Sequence, residues 1–321
     1  MKRALICGVS GQDGAYLASL LLQRGYEVSG TSRDARTASF QNLVRLGVRE
    51  KVSLLSVNLT DFQSVLQAIE KVEPDEVYNL AGQSSVGLSF ERPVETMESI
   101  SLVTLNLLEA IRSRGRAVKL FSPASGECYG DTDGKTADEG TPFRPRSPYG
   151  VAKAAAFWQV ANYREAYGLH ACSGILFNHE SPLRPERFVT KKIIRGAWRI
   201  ANGASGKLRL GNLSIKRDWG WAPEYVEAMW QMLQRPDPQD FVIATGETHE
   251  LTKFLDVAFS FFGLKWQDHV LTDPGLIRPM DLAVEMANPE KARRVLGWEA
   301  EHKMRDVVRM MCEDMKQQED G

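Results

Sequence analysis

The sequence predicts an α/β fold, a doubly wound parallel sheet followed by a smaller C-terminal lobe. Up to residue 177, short runs that are almost entirely apolar alternate with segments in which apolar residues recur at helical spacing. Parallel strands that are covered on both faces have this continuous apolar pattern, and alternating strands and helices are typical of a parallel sheet. After residue 178 the strict alternation weakens. The 321 residues suffice for a large core and two lobes.

The elements follow one another in a regular order. In the first lobe we predict strands at 4–7, 26–30, 52–57, 77–80, 118–121 and 171–177, and helices at 15–23, 99–112 and 150–167. Beyond them the pattern predicts strands at 208–211 and 240–245, and helices at 188–202, 223–234, 251–263 and the C-terminus. We therefore expect a first domain at 1–177, which about 212–247 rejoin, and a second lobe at 178–321.

The charges of the chain are nearly balanced. There are 40 Lys and Arg and 41 Asp and Glu, for a net charge of −1. This balance gives no reason to expect nucleic acid or an anionic membrane surface as a partner. The basic side of helix 188–202 is interpreted as a solvated face. No apolar run approaches the roughly 20 residues of a membrane helix, and the N-terminal run is too short for a signal peptide.

The four cysteines, at 7, 128, 172 and 312, include no pair at the spacing of metal ligands. This pattern predicts reduced thiols in a cytoplasmic protein and no metal site. Cys128 lies beside the candidate catalytic residues. A small apolar filler is the favoured interpretation of Cys128, and a catalytic thiol is the alternative.

A glycine-rich turn joins the first strand to the first helix and has the sequence Gly8-Val9-Ser10-Gly11-Gln12-Asp13-Gly14. A strand, a glycine turn and a helix form the context of Rossmann-like dinucleotide sites. There the glycines let the backbone approach a pyrophosphate, and the helix N-terminus supplies N–H groups. An ordinary tight turn is the alternative, which the surrounding strand and helix disfavour.

The tip of the second strand favours NADP over NAD. The chain continues there as Thr31-Ser32-Arg33-Asp34-Ala35-Arg36, with no acid at the strand end and two arginines after it. NAD sites usually have a carboxylate at this point for the ribose 2′-hydroxyl, whereas NADP sites have groups that bind the 2′-phosphate. Asp34 leaves NAD open, and a solvated loop is the alternative for the arginines.

Two further strand ends extend the expected cofactor site. Asn58-Leu59 follows the third strand, where the turn either contacts an adenine or caps the next helix through Thr60 and Asp61. Leu80-Ala81 ends the fourth strand. The small residues after it leave room for a nicotinamide ribose.

The candidate chemistry lies between residues 122 and 153. Tyr149 and Lys153 are four residues apart, on one face of a helix. An ammonium group near a phenol favours the phenolate, a base that takes a proton from an alcohol while a hydride leaves the same carbon. Ser125 and Glu127 follow a strand at the edge where open parallel sheets bind ligands. The alternative is a packed Tyr149 and a solvated Lys153.

Runs spread over nearly the whole chain carry a family resemblance. They are Gly11–Gly14, Val77–Ala81, Pro145–Lys153, Asn162–Glu165, Gly174–Arg184, Phe188–Thr190 and Arg217–Gly220. On these runs the chain resembles the GDP-mannose 4,6-dehydratases, a family of extended short-chain dehydrogenases/reductases. The first and third runs are shared across the superfamily or close to it, whereas Asn178–Arg184 and Arg217–Gly220 are much more specific to the family.

The resemblance implies a redox-neutral dehydration of a nucleotide sugar, GDP-mannose to GDP-4-keto-6-deoxymannose, with tightly held NADP. It implies that Tyr149 takes the 4-hydroxyl proton, and that Lys153 holds the nicotinamide ribose and lowers the Tyr149 pKa. It further implies that Glu127 is the base at C5 and, helped by Ser125, the proton donor to the water that leaves C6.

The resemblance also implies the binding residues. For the cofactor these are Gly8, Gly11, Gln12, Asp13, Gly14, Ser32, Arg33, Asn58, Leu59, Leu80, Ala81, Gln83, Tyr149, Lys153, His179 and Arg184. For the nucleotide sugar they are Ser85, Asn178, Val189, Lys192, Arg217, Arg278 and Asp281. Two arginines suit a diphosphate, because each guanidinium forms bidentate hydrogen bonds to an anion.

Two other functions remain open at this stage. One is a nucleotide-sugar 4-keto reductase or epimerase of the same fold. The other is a non-catalytic NADP-binding sensor, against which the presence of Ser125, Glu127, Tyr149 and Lys153 together argues. Helices 99–112 and 150–167 commonly form a dimer interface in the superfamily, so a homodimer or homotetramer is expected.

Overall fold

The computed structural model describes residues 1–319, with side chains to residue 318. Its strands are β1 (Arg3–Cys7), β2 (Glu27–Ser32), β3 (Val52–Ser56), β4 (Glu76–Asn79), β5 (Lys119–Ser125), β6 (Ala171–Leu176), β7 (Asn178–Glu180), β8 (Leu208–Leu210), β9 (Lys216–Trp221), β10 (Phe241–Ile243), β11 (Thr248–Glu250) and β12 (Val270–Thr272). Its α-helices are α1 (Gln12–Gln23), α2 (Gln41–Arg45), α3 (Phe62–Val72), α4 (Val86–Glu91), α5 (Pro93–Met97), α6 (Val103–Arg114), α7 (Pro148–Tyr167), α8 (Val189–Ala201), α9 (Ala222–Gln234), α10 (Leu251–Phe261) and α11 (Met304–Glu319).

Seven strands form one parallel sheet in the order β10-β6-β5-β4-β1-β2-β3. Successive residues of β1 point to opposite faces, and both faces are covered. Ile6 lies in one core with helices α1 and α9, whereas Leu5 lies in the other with α3, α6 and α7. Because helices cover both faces, the inner strands are apolar throughout. The predicted doubly wound α/β fold is confirmed.

The late strand predicted at 240–245 is β10, which pairs in parallel with β6 at the sheet edge. Helix α9 precedes it and packs against α1 through Tyr225 and Met229, which belong to the same core as Leu17 and Leu21. Residues 222–243 therefore return to the main sheet. The division of the chain into two domains near residue 177 stays a prediction.

Helices α8, α10 and α11 pack around a separate apolar core, with Ile194, Phe254 and Val308 at its centre, and this part of the molecule is here called the second lobe. Its strands form two small sheets, β11-β9-β7 and β12-β8. One expectation for α8 was wrong in part. Lys191 of the predicted solvated face is buried, and its Nζ donates to the carbonyl of Pro182 at 3.0 Å.

The predicted helix at 99–112 begins with a π-helical turn at Glu98–Leu102 and continues as α6. No helix among the described residues combines the length and the apolar character that a membrane span needs.

Candidate active site

The carboxyl ends of the central strands border a cavity that the second lobe closes from the other side. Many of the predicted site residues line it. They are Asp13, Leu80, Ala81, Gln83, Ser85, Ser125, Glu127, Tyr149, Lys153, Asn178, His179, Arg184, Val189, Arg217 and Arg278. The register of the sheet explains part of this convergence, because Ser125 at the end of β5 stands opposite Leu176 at the end of β6.

The glycine turn at the base of the cavity is tightly packed. Gly8 has φ +83°, and a Cβ on it would lie 2.6 Å from the carbonyl oxygen of Leu80. A Cβ on Gly14 would lie 2.4 Å from the Gly8 carbonyl oxygen. At both positions a side chain would collide with neighbouring backbone atoms, so the turn itself requires glycine. Helix α1 starts directly after Gly11, which provides no side-chain cap, so its first N–H groups are available to an anion.

An ion pair joins the glycine turn to residues 177–180, the segment after β6 that is here called the strap. Nε2 of His179 lies 2.9 Å from Oδ2 of Asp13, and Nδ1 of His179 lies 2.8 Å from the carbonyl oxygen of Phe177. Burial opposes both charges. The attraction between the two groups nevertheless lowers the pKa of Asp13 to about 2 and raises the pKa of His179. Each group therefore favours the charged form of the other.

Ser125 and Glu127 are fixed by a short turn at the end of β5. The Ser125 hydroxyl accepts a hydrogen bond from the backbone N–H of Glu127 at 3.3 Å. Helix α7 starts nearby, capped by Ser147, whose hydroxyl accepts from the N–H of Gly150 at 3.0 Å. This cap sets the first turn of α7, so that Tyr149 and the following turn face the cavity.

Lys153 lies one turn beyond Tyr149, with its Nζ 5.8 Å from the phenol ring centroid. The Nζ donates to the carbonyl oxygen of Pro123 at 2.8 Å. Burial raises the pKa of Tyr149 well above its usual range, against a lowering effect of the Ser125 hydroxyl. Burial also lowers the pKa of Lys153 to about 8. The Ser125 hydroxyl is the main group that opposes the rise in the Tyr149 pKa, and a lowering effect of Lys153 stays a prediction.

Glu127 is surrounded by groups of both signs. Burial and the carboxyl group of Glu285 raise the pKa of Glu127 to about 8, and the guanidinium groups of Arg217 and Arg278 oppose that rise. Glu127 is therefore a stronger base and a weaker acid than an exposed glutamate.

The two arginines approach the cavity from different segments of the second lobe. Arg217 of β9 is buried, and its Nη2 lies 3.4 Å from Oδ1 of Asp281. Arg278 is partly exposed, and its Nη1 lies 3.7 Å from the same oxygen. Asp281 therefore holds both guanidinium groups at the cavity wall.

Comparison with known proteins gives the family. A family model described as GDP-mannose 4,6 dehydratase matches residues 5–311. GDP-mannose 4,6 dehydratase 1 of Arabidopsis thaliana is 46% identical over 98% of this chain and 89% of its own length. The chain belongs to the GDP-mannose 4,6-dehydratase family. A GDP-mannose 4,6-dehydratase of Vibrio cholerae is 42% identical, covering 98% of this chain and 94% of that one.

Solved structures with the same fold include other nucleotide-sugar enzymes. A UDP-glucose 4-epimerase of Thermus thermophilus in complex with NAD aligns with a TM-score of 0.86 at 29% identity, over 98% of this chain and 99% of that one. A dTDP-glucose 4,6-dehydratase of Bacillus anthracis in complex with NAD aligns with a TM-score of 0.86 at 18% identity, over 100% and 98% of the two chains. The second likeness concerns the fold alone.

Glu285 of this GDP-mannose 4,6-dehydratase family member is a site residue that the sequence motifs did not predict. It lies beside Glu127, is 7% exposed, and its Oε2 is 3.4 Å from Nε of Arg217. The signal was present, since Glu285 is the only charged residue in the otherwise apolar run 282–287. An acid inside such a run is buried, and a buried acid needs a partner.

Several predicted site residues of this dehydratase-family chain do not line the cavity. Gly8, Gly11, Gln12 and Gly14 form the turn below it, and Asp281 acts through the arginines. Lys192 was expected to bind substrate, but its Nζ donates to the carbonyl oxygen of Arg209 at 2.7 Å. The structure therefore gives no support to a substrate contact for this lysine.

The predicted adenine end lies away from the cavity, at the tips of β2 and β3, where Ser32, Arg33, Asn58 and Leu59 are found. The side chain of Asn58 accepts hydrogen bonds from the backbone N–H and the hydroxyl of Thr60, so it stabilises its own turn. The cap of α3 is Asp61, which accepts from the N–H of Gln63 at 2.9 Å. The predicted cap of the next helix is therefore formed through Asp61, and contact of this turn with an adenine stays a prediction.

Cys128 is fully buried, and burial raises the pKa of its thiol to about 12. A neutral buried thiol agrees with the interpretation of Cys128 as an apolar filler.

Proposed function

We propose that the protein converts GDP-mannose to GDP-4-keto-6-deoxymannose by a redox-neutral dehydration with NADP. The observation that carries the proposal is the convergence of Ser125, Glu127 and Tyr149 on one cavity that Arg217 and Arg278 also line. The curated relatives named GDP-mannose 4,6-dehydratases, at 40–46% identity, support the reaction and the sugar nucleotide.

The residues around the glycine turn fit a nicotinamide dinucleotide. The uncapped start of α1 offers backbone N–H groups to a pyrophosphate. Arg33 and Arg36 are exposed at the tip of β2, and the Asp34 carboxylate is occupied by the backbone N–H groups of Arg36 and Thr37. Two exposed guanidinium groups and an occupied carboxylate favour NADP over NAD. Such a cofactor, when bound, takes up the hydride from C4 of the sugar and gives it back at C6.

Tyr149 acts on the 4-hydroxyl group. It accepts the hydroxyl proton as the C4 hydride departs, leaving a 4-ketone. The Ser125 hydroxyl stabilises the phenolate that this role needs, since it lowers the Tyr149 pKa against the effect of burial. Lys153 is held by the Pro123 carbonyl and supplies the positive charge beside the phenol when it is protonated.

Glu127 acts on C5 and C6. The 4-ketone acidifies the C5–H bond, and the Glu127 carboxylate, whose pKa is raised, takes that proton. The C5–H electron pair forms the C5=C6 double bond while the C6–O bond breaks, and the departing oxygen takes a proton from Glu127 and leaves as water. The same side chain is thus base and acid in turn, which suits a pKa near the working pH.

Arg217 and Arg278 bind the diphosphate of the nucleotide sugar. Both guanidinium groups belong to the cavity lining, and guanidinium groups form planar pairs with oxyanions. Asn178, Ser85 and Val189 line the same space and are proposed to contact the sugar and the nucleotide.

The compartment and the oligomeric state are part of the proposal. All four cysteines are free and buried, which supports a reducing compartment such as the cytoplasm. Helix α7 exposes Trp158 at 61% and Tyr167 at 53%, and Leu102 beside α6 is 37% exposed. These apolar side chains support a homodimer or homotetramer with α6 and α7 at the interface.

The test is a mass measurement of GDP-mannose incubated with the purified protein and NADP, with no reductant added. We expect a product lighter by one water, with a ketone that borohydride traps. A 4-keto reductase needs added reductant and a 4-epimerase leaves the mass unchanged, so an unchanged mass would contradict the proposal. Tyr149→Phe is the matched inactive control.

A further inference from the structure

Glu285 is held rigidly beside the proposed base. Its backbone N–H donates to the carbonyl oxygen of Lys216 at 3.0 Å, and its own carbonyl accepts from the Thr248 hydroxyl at 3.0 Å. The adjoining residue Val284 forms a parallel bridge with Lys216 at the start of β9. The Glu285 side chain therefore projects from a fixed backbone, and it is 7% exposed.

The polar contacts of Glu285 are incomplete without a proton. Oε2 has Nε of Arg217 at 3.4 Å. Oε1 is buried and has no hydrogen-bond donor in reach among residues 1–318. The carboxyl group of Glu127 is within hydrogen-bonding range of Glu285. Two carboxylates only accept hydrogen bonds, so a hydrogen bond between them requires that one holds a proton.

The charges around the pair lead to the same requirement. Three carboxyl groups, on Glu127, Asp281 and Glu285, share two guanidinium groups, on Arg217 and Arg278. With all three ionised, one buried negative charge would remain unpaired, which is strongly unfavourable. A diphosphate on the two arginines would add negative charge and strengthen the requirement for a proton.

We propose that Glu127 and Glu285 share one proton, and that Glu285 is a positioning residue which acts on the reaction through Glu127. This inference rests on the proposed dehydration for its chemical consequence. The shared proton itself is a property of the resting protein and does not depend on the substrate.

Because the Glu127–Glu285 pair already holds one proton, it can protonate C5 after the water has left. The C5 proton passes to the free oxygen of Glu127, so that the pair then holds two protons, and one of them leaves with the C6 oxygen as water. When the hydride returns to C6, the C5=C6 double bond opens and C5 takes the remaining proton of the pair. The pair has then given up its resting proton and Tyr149 holds the 4-hydroxyl proton, so the resting state is restored when Tyr149 releases a proton to solvent and the pair takes one up. A lone Glu127 would have no proton left for C5, which would then depend on solvent.

Infrared spectroscopy of the purified protein with NADP tests the shared proton without turnover. We expect the carbonyl stretch of a protonated carboxyl group at pH 7. Glu127→Gln and Glu285→Gln should each move or remove this band, because each variant changes one side of the shared hydrogen bond. A wild-type spectrum without this band, or a band that has the same position in Glu285→Gln as in the wild type, would overturn the proposal even if the protein dehydrates GDP-mannose.

The pH dependence of kcat tests the role of the pair. The groups that face Glu127 are Glu285, Arg217 and Arg278, with Tyr149 and Lys153 across the cavity. The wild-type rate should fall above about pH 8, where the shared proton leaves. In Glu285→Gln we expect kcat to be about tenfold lower at pH 7, and we expect the pH above which kcat declines to differ from that of the wild type. The ammonium group of Lys153 titrates in the same range. If the decline of kcat at high pH is unchanged in Glu285→Gln, the decline belongs to Lys153, and the proposed role of the Glu127–Glu285 pair is contradicted.

Glu247→Gln is the matched control. Glu247 is an exposed carboxylate on the turn before β11, close to Thr248 but outside the cavity lining. We expect this variant to keep the infrared band and the pH profile of the wild type. Thermal unfolding of all variants separates loss of the pair from loss of the fold. If no glutamine variant folds, the wild-type band at pH 7 still decides whether the proton is present.

Discussion

The two walls of the cavity are built in different ways. The wall formed by the first lobe comes from contiguous motifs at strand ends, where a turn and the first residues of a helix carry the site. The wall formed by the second lobe presents Arg217 and Arg278, which are held by Asp281 and Glu285, and these four residues come from two separate segments, β9 and 278–285. The first wall depends on backbone geometry and the second on charge balance. Substitutions should therefore affect the first wall through local steric and proton-transfer effects, and the second through stability and affinity.

The largest effect should come from the first wall. Tyr149→Phe removes the only group proposed to take the 4-hydroxyl proton, so we expect kcat to fall by about a thousandfold. NADP binding should change little, because the ring remains. Steady-state kinetics together with a dinucleotide titration checks both. A variant with near wild-type kcat would show that another base acts at C4.

Substitutions in the second wall should lower the free energy of unfolding. Arg217→Gln leaves the buried Glu285 and Asp281 without their shared cation, which we expect to cost about 3 kcal/mol of unfolding free energy. Arg278→Gln should cost less than about 1 kcal/mol, because Arg278 is 37% exposed. Urea unfolding compares the two. Equal losses would contradict the difference in charge balance between a buried and an exposed arginine.

The ion pair between Asp13 and His179 joins the glycine turn to the strap and gives a pH signature. The folded-state pKa of Asp13 is lowered, so its contribution is complete above the unfolded value near 4 and is lost as the pH falls towards about 2. The folded-state pKa of His179 is raised, so its contribution is complete below about 6.5 and is lost as the pH rises through the folded value. The pair should therefore stabilise most between about pH 4 and 6.5.

Asp13→Asn tests this window. The difference in unfolding free energy from the wild type should be about 2 kcal/mol at pH 5 and smaller at pH 3 and pH 9. Glu247→Gln is the control, since it breaks an exposed pair with His249. A difference for Asp13→Asn that is independent of pH would mean that packing, and not the charge pair, holds the strap.

The smallest effect concerns the cofactor. Arg33→Ala should lower the preference for NADP over NAD about tenfold, since it removes one guanidinium group that is proposed to bind the 2′-phosphate. Asp34→Asn should leave the preference within about twofold, because the Asp34 carboxylate is bound by its own turn. Dissociation constants for both dinucleotides check this. An unchanged preference in Arg33→Ala would return the arginines to the interpretation as a solvated loop.

The first wall could be predicted because its determinants are local. Gly8 and Gly14 were predicted from their spacing, and the structure gives each a steric reason within the turn. Ser125 and Glu127 were expected at the strand end that now borders the cavity. Strand ends of a parallel sheet meet at one edge, so a one-dimensional pattern suffices for this half.

The second wall could be predicted only through family likeness, because its contacts join distant segments. Arg217 and Asp281 are 64 residues apart, and Glu127 and Glu285 are further apart still. Lys192 was matched to the substrate by likeness, yet its ammonium group is bound to the Arg209 carbonyl. Helical spacing placed Lys153 one turn from Tyr149 but did not show that burial would raise the pKa of Tyr149 and lower the pKa of Lys153.

The most direct test of the account follows one deuterium atom. GDP-mannose labelled with deuterium at C4 is incubated with the protein and unlabelled NADP, and the product is examined by NMR and mass spectrometry. If both walls act on one sugar, the label moves to C6 of the product within the same molecule, with loss of one water and no net reduction of NADP. Label found in the solvent or in free NADPH, or retained at C4, would contradict it.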